Sequence, residues 1–175
     1  MEMRSYGIYK DKYDTKMLSI FGHANKGIPG LEIIIPGMQT RYLKEKFVYI
    51  SKNLGLKFPL KKYTICVDTL GESIKSDHAD LNWLELPLLI LYWSLAGVLP
   101  ITKLSDCFCG GKIGVNKKIL LPGSLIINNV KTSNDFKVIS LSSVQNEVNN
   151  CVLSVEEIFS ELTQLHFEFE KLNRK

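Results

Sequence analysis

Residues that most often hold metals are scarce in this sequence. Its three histidines, His23, His78 and His166, stand singly with no ligand spacing. The cysteines are Cys66, Cys107, Cys109 and Cys151. Cys107 and Cys109 have a single residue between them, whereas zinc-binding pairs usually have at least two. No metal site and no cofactor is therefore expected, and the thiols read as buried or strand residues. The opening stretch, MEMRSYGIYKDKYD, carries charges where a secretory signal needs an apolar segment, so a cytoplasmic protein is expected. In that compartment an even cysteine count does not argue for disulfides. A dominant charge is missing too. Against 22 Lys and Arg stand 18 Asp and Glu, and the net +4 tolerates an anionic partner without requiring one. No internal repeat or low-complexity linker interrupts the 175 residues, which read as one domain over 1–175.

The sequence also lacks an apolar run long enough for a bilayer, which takes about 20 residues. Its most apolar stretch, LELPLLILYWSLAGVLP over 84–100, falls short of that, so no membrane partner is expected. Pro87 suits the first turn of a helix, where a missing N–H costs nothing, and Gly97 with Pro100 supplies a stop. Apolar residues surround the helix axis, which predicts a buried central helix. Its one charge, Glu85, falls where a helix N-terminus favours an anion.

Around that helix the pattern alternates between strand and helix signals. Tyr6–Tyr9 and Met17–Phe21, separated by KDKYD, predict a hairpin, with a loop over His23–Lys26. After the turn Gly27-Ile28-Pro29-Gly30, Leu31–Ile35 is a β-branched strand. Tyr42, Leu43, Phe47 and Ile50 give helical spacing over 39–53, closed by Gly55. Tyr63–Val67 is a strand, and 69–82 is an exposed polar loop. Short strands follow around 107–113, 118–121 and 136–141, the first two flanking a turn at Val115-Asn116. Ser154 and Glu157 form a capping box for a closing helix that carries Val155, Ile158, Phe159, Leu162, Leu165, Phe169 and Leu172. Three helices and several hairpins predict an α+β domain with helices packed on a mixed sheet.

Two local patterns suggest binding. Gly110-Gly111-Lys112-Ile113-Gly114 invites comparison with a phosphate loop, which needs a glycine five residues before Gly111 and Ser or Thr after the lysine. Those positions hold Asp106 and Ile113, so a glycine-containing strand with a bulge is preferred. Lys44, Lys46, Lys52, Lys57, Lys61 and Lys62 form the densest basic cluster, interleaved with Tyr42, Phe47, Tyr49, Phe58 and Tyr63. Charge with rings is what nucleic acid contacts use, and Lys44, Lys52, Lys57, Lys61 and Lys62 are the candidate residues. The preferred alternative makes the rings core and the lysines a solvated face.

Taken in order, GIPGLEIII, KNLGLKFP, KKYTICV, ELPLLILYWSLAGVL and FCGGKIGVNKKILLPGSL resemble the N-terminal domain of the ComM/YifB magnesium-chelatase-like AAA+ family. The matches span roughly residues 17–127, and no single motif is specific. The resemblance implies the two-layer fold of the Lon proteolytic domain and of the second domain of ribosomal protein S5. It also implies assembly with copies of itself or with a AAA+ partner, and a role near DNA processing. Departures accompany it. Gly111 replaces an acidic residue, Cys66-Val67-Asp68-Thr69 replaces an N-L-A-P segment, and an insertion precedes Trp83.

Lon-type proteolysis needs a serine at the head of the central helix and a lysine to activate it. Through the resemblance these positions fall on Glu85 and Ile126, neither of which can do that work. Ser124 and the Ser73–Lys75 pair are nearby substitutes without triad geometry. The expected function is a non-catalytic interaction or assembly domain. The alternatives are a weak nucleic-acid-binding accessory in DNA processing and, last, a Ser-Lys peptidase.

Overall fold

In a computed structural model, the described residues are 1–11, 14–71 and 81–171. β1 (Glu2–Lys10) and β2 (Thr15–Asn25) form the expected antiparallel hairpin, in unbroken register from Glu2 opposite His23 to Lys10 opposite Thr15. The loop expected over His23–Lys26 is corrected, because His23, Ala24 and Asn25 continue β2. Ala24 alternates inward with Ile20 and Gly22, and small inward residues give a weak strand signal. Residues 12 and 13 of the turn lie outside the described residues.

β3 (Gly30–Ile34), α1 (Arg41–Asn53) and β4 (Lys62–Asp68) follow. β4 runs antiparallel to β2 and parallel to β3. Leu31 and Ile33 point into the core while Glu32 and Ile34 face out, the period-2 pattern of a half-buried strand. Of the loop expected over 69–82, residues 72–80 lie outside the described residues, among them Ser73, Lys75 and His78. Thr69 is buried, and Leu81–Leu84 form a tight 3-10 turn leading into α2 (Glu85–Leu95).

α2 is the predicted central helix, and every residue from Leu86 to Leu95 is buried. Burying one such aliphatic side chain contributes about 1.5–3 kcal/mol, so this helix dominates the apolar driving force. It ends in a Schellman arrangement. Gly97 adopts φ +75°, its N–H bonds the Ser94 carbonyl at 3.1 Å, and the Val98 N–H bonds the Trp93 carbonyl at 2.9 Å. One flank of α2 lies on β1, β2 and β4. Elsewhere it meets α1, where the Trp93 indole N–H donates to the Ser51 hydroxyl at 3.0 Å.

The remainder comprises β5 (Cys107–Cys109), β6 (Lys112–Ile113), β7 (Lys118–Leu121), α3 (Ser124–Asn128), β8 (Lys137–Ser140), β9 (Cys151–Ser154), α4 (Val155–Ile158) and β10 (His166–Phe169). Two sheets result, a seven-stranded one ordered β3-β4-β2-β1-β5-β8-β9 and a three-stranded one ordered β10-β7-β6. With parallel and antiparallel pairs in both sheets and helices packed on them, the chain is α+β. A second apolar cluster, including Ile8, Trp83, Phe108, Ile126 and Val138, accompanies the main core around α2.

The closing helix is the largest correction. α4 is a single turn, and His166–Phe169 becomes β10, parallel to β7. HFEFE alternates polar and apolar with period 2, the strand signature that competes with the helical spacing read there. The capping box is absent as well. The Ser154 hydroxyl bonds Glu156 rather than a helix N–H, and Glu156 in turn accepts from the Ser142 N–H at 3.1 Å. Leu172 lies outside the described residues.

Candidate functional site

At the head of α2, Glu85 does not cap its own helix. Its Oε2 accepts from the Lys46 ammonium of α1 at 2.9 Å and from the Ile113 N–H of β6 at 2.8 Å. The pair is largely withdrawn from water, with side-chain exposures of 10% and 13%. One carboxylate oxygen thus ties three elements together, and charge-assisted bonds of this kind are the stronger class. Placing Lys46 on the solvated face is therefore corrected. Lys46 falls within the Leu43–Phe47–Ile50 stripe, and that helical position was the available signal for its burial.

The free N–H of Leu86 at the helix start bonds the Gly111 carbonyl at 3.1 Å, and the Gly111 N–H returns to the Trp83 carbonyl at 2.9 Å. Gly110-Gly111 is not a strand with a bulge but the link between β5 and β6, passing against the helix head. A Cβ on Gly110 would stand 2.4 Å from Ile8 Cγ1, and one on Gly111 2.7 Å from Leu86 Cδ2. Close approach, rather than phosphate binding, accounts for both glycines. A cavity of about 390 Å³ opens beside this junction, lined by Lys46, Asn82, Glu85, Lys112, Asn116 and Lys118 among others.

The second position carried over from the peptidase, Ile126, is buried in the Trp83–Phe108 cluster and does not line the Glu85 cavity. Ser124 begins α3 and lines a separate cavity with Glu147 and Glu170. No lysine lines that cavity among the described residues, and Ser73 and Lys75 lie outside them. Neither the Glu85 cavity nor the Ser124 cavity brings a serine and a lysine together.

A larger opening of about 840 Å³ lies between β3 and the first turns of α1. Leu31, Glu32 and Ile33 line one side, and Thr40, Arg41, Lys44 and Glu45 the other, with Ile28 and Lys62 at its rim. β3 is the outermost strand of the large sheet. Its Gly30 N–H bonds the Lys61 carbonyl of the segment entering β4. Parallel pairing alternates, so the N–H groups of Leu31 and Ile33 are aimed away from β4, at the groove. Thr40 donates its hydroxyl to the Ile33 carbonyl at 2.5 Å. Ile28 is 88% exposed and Leu60 83% exposed beside the same end of β3 and β4.

The basic candidates are dispersed by comparison. Lys44 and Lys62 line the groove, and Lys62 pairs with Glu32 at 3.4 Å on the surface. Lys52 sits in the last turn of α1, Lys57 in the connection to β4 and Lys61 just before that strand. Of the interleaved rings, Phe47 and Tyr63 are buried and Phe58 stacks on Tyr92, leaving Tyr42 and Tyr49 exposed. Arg41, which completes the basic rim of the groove, carried no sequence signal.

The buried cysteines carry no chemistry suited to a nucleophile. Burial and the neighbouring Asp106 push the Cys107 thiol up to about 12, and burial holds Cys109 well above the usual thiol range. Among the described residues no three His, Cys, Asp or Glu side chains gather as a metal ion would require. Among the same residues no helix is long and apolar enough to cross a membrane.

No family model matches the chain, and no curated protein matches it.

Proposed function

We propose that this chain is a non-catalytic interaction domain that docks other polypeptides, a second copy or a AAA+ protein being the partners its resemblance suggests. The observation that carries this reading is the groove beside β3, a sheet edge whose outward N–H groups at Leu31 and Ile33 meet no side chain among the described residues, with exposed Ile28 and Leu60 at its end. Exposed edges with adjacent apolar surface are where chains join. The head of α2 supports it from the other direction. Glu85 stands where a peptidase of the resembling family would hold its serine, and Lys46 and the Ile113 N–H occupy it in a structural role.

Two measurements test this. Purified protein should release no peptides from casein and no phosphate from ATP. Peptide release that disappears in Ser124→Ala would overturn the non-catalytic reading. Size exclusion with light scattering of the chain mixed with a candidate AAA+ protein should show a mass above that of either alone. A chain that stays monomeric and binds no protein at high micromolar concentration contradicts the interaction reading.

A further inference from the structure

The two edges of the seven-stranded sheet are finished differently. At the β9 edge, the side-chain amide of Gln145 acts as a substitute strand. Its Oε1 accepts from the Val152 N–H at 2.8 Å, and its Nε2 donates to the Asn150 carbonyl at 3.2 Å. One side chain thereby covers an outward donor of β9 and the carbonyl just before the strand, one of the ways sheets avoid joining neighbours. At the β3 edge, among the described residues, a side chain meets only the Ile33 carbonyl, through Thr40. Among the described residues no side chain meets the N–H of Leu31, the N–H of Ile33 or the carbonyl of Leu31. These groups face the groove.

We infer that the β3–α1 groove binds an extended, acidic segment of another protein, which adds as a strand to β3 beneath α1. This rests on the interaction reading above and specifies its partner. Main-chain groups of the incoming segment would pair with Leu31 and Ile33, giving affinity that is independent of sequence. Side chains alternate across a strand, so every second one would lie on the α1 side of the sheet, against the rim of Thr40, Arg41 and Lys44. That rim selects charge. Arg41 and Lys44 take part in no ion pair among the described residues, and Lys26 and Lys61 lie exposed at the entering end of β3 and β4. Lys62 is already balanced by Glu32, and Glu45 is the one opposing charge on the helix side. The excess is positive, which favours an acidic guest and disfavours a basic one. It also disfavours a second copy, since pairing β3 with β3 sets two Arg41–Lys44 rims on one face of the joined sheet.

The test uses two fluorescein-labelled decapeptides, one alternating Val and Glu and one alternating Val and Lys, with the full chain. Anisotropy should show the acidic peptide binding at least tenfold more tightly, with a salt-sensitive affinity. A version of the acidic peptide with Pro at every other position should lose binding, because proline offers no N–H to a ladder. Hydrogen exchange read by NMR should slow at least tenfold at the Leu31 and Ile33 amides on saturation, with no comparable change at β9. The double variant R41E/K44E should reverse the charge preference, and K52E/K57E, outside the groove, should leave it unchanged. Equal binding of both peptides, or unaltered exchange at Leu31 and Ile33, overturns strand addition. Binding whose exchange changes map to another surface overturns the groove assignment while leaving an interaction domain standing. No binding of either peptide overturns the acidic-segment assignment, and the scattering experiment then decides the broader reading alone.

Discussion

At the head of α2 a set of polar groups from α1, α2, β6 and the 3-10 turn bond one another. Glu85 takes two donors, and the Gly111 peptide returns one bond to Trp83 and receives one from Leu86. At the β3 edge two elements meet, and the outward backbone groups of Leu31 and Ile33 are left facing a groove. Both places carry lysines and a glutamate, yet their chemistry is opposite. In the first, charge is buried because it is paired and hydrogen-bonded, and its geometry holds helices to a sheet. In the second, charge stands on a rim beside main-chain groups that meet no side chain among the described residues, the arrangement that suits a guest. A polar cluster at a helix start therefore need not signal chemistry, and a site can lie where the internal bonding stops.

The comparison breaks if the head of α2 proves dispensable for stability. Glu85→Leu strands the Lys46 ammonium and the Ile113 N–H in a site largely withdrawn from water but beside an open cavity, and should cost up to about 3 kcal/mol. Glu85→Gln keeps an oxygen for both donors but loses the charge, and should cost about 1–3 kcal/mol. Gly111→Ala forces a methyl within 2.7 Å of Leu86 and should fall in the overpacking range of about 1–3 kcal/mol. Urea unfolding measures all three, and peptide binding at the groove should survive wherever the variant folds. A Glu85→Leu protein of unchanged stability that lost an activity would make this junction a functional centre.

A smaller effect sharpens the same contrast inside the core. Ser51 and Ser94 are both buried, but the Ser51 hydroxyl accepts from Trp93 at 3.0 Å and donates to the Phe47 carbonyl at 2.7 Å. The Ser94 hydroxyl has no partner among the described residues. Removing a bonded hydroxyl leaves the indole N–H unmet, so Ser51→Ala should destabilise by about 1–2 kcal/mol. Ser94→Ala removes an unmet group and should be neutral or stabilising by up to about 1 kcal/mol. Thermal melts of the two variants shifting in the same direction would contradict the assignment.

How much of this was legible in the sequence depends on range. α2 was evident, since LPLLILYWSL is apolar on every side and Gly97 follows it. The hairpin, α1 and β4 were evident from local periodicity. β10 was lost because Phe167 and Phe169 fit a helical count as well as an alternating one. Its pairing with β7, about fifty positions earlier, decided the matter. Glu85 was legible as structural, but its partners were not. Lys46 and Ile113 reach it from elements whose juxtaposition is tertiary. The groove was invisible for a different reason: β3 and α1 are neighbours in the chain, but nothing in GLEII marks it as an edge strand of a sheet.

The smallest expected effect concerns nucleic acid, and it tests whether the open side of the molecule reads charge in general or charge on a polypeptide. Lys57, Lys61 and Lys62 lie within one connection and the strand it enters, and all three are exposed. Reversing them to Glu should change stability by no more than about 0.5 kcal/mol, as solvated surface positions do, with Lys62 contributing most because Glu32 is its neighbour. On duplex DNA each phosphate neutralised adds about 0.9 to the slope of log affinity against log salt. Lys46 is withdrawn into the Glu85 pair, Lys62 is balanced by Glu32, and Lys44 faces the groove, so few of these charges remain to follow a phosphate backbone. Anisotropy with a labelled duplex should therefore show binding no tighter than the micromolar, non-specific range at physiological salt, with a shallow slope. The triple reversal should abolish it. The Val-Glu decapeptide should compete for the groove without displacing DNA from Lys57 and Lys61. Nanomolar or branch-selective DNA binding would move the centre of function from the β3 groove to this basic connection, and the contrast between the two regions would have to be redrawn around it.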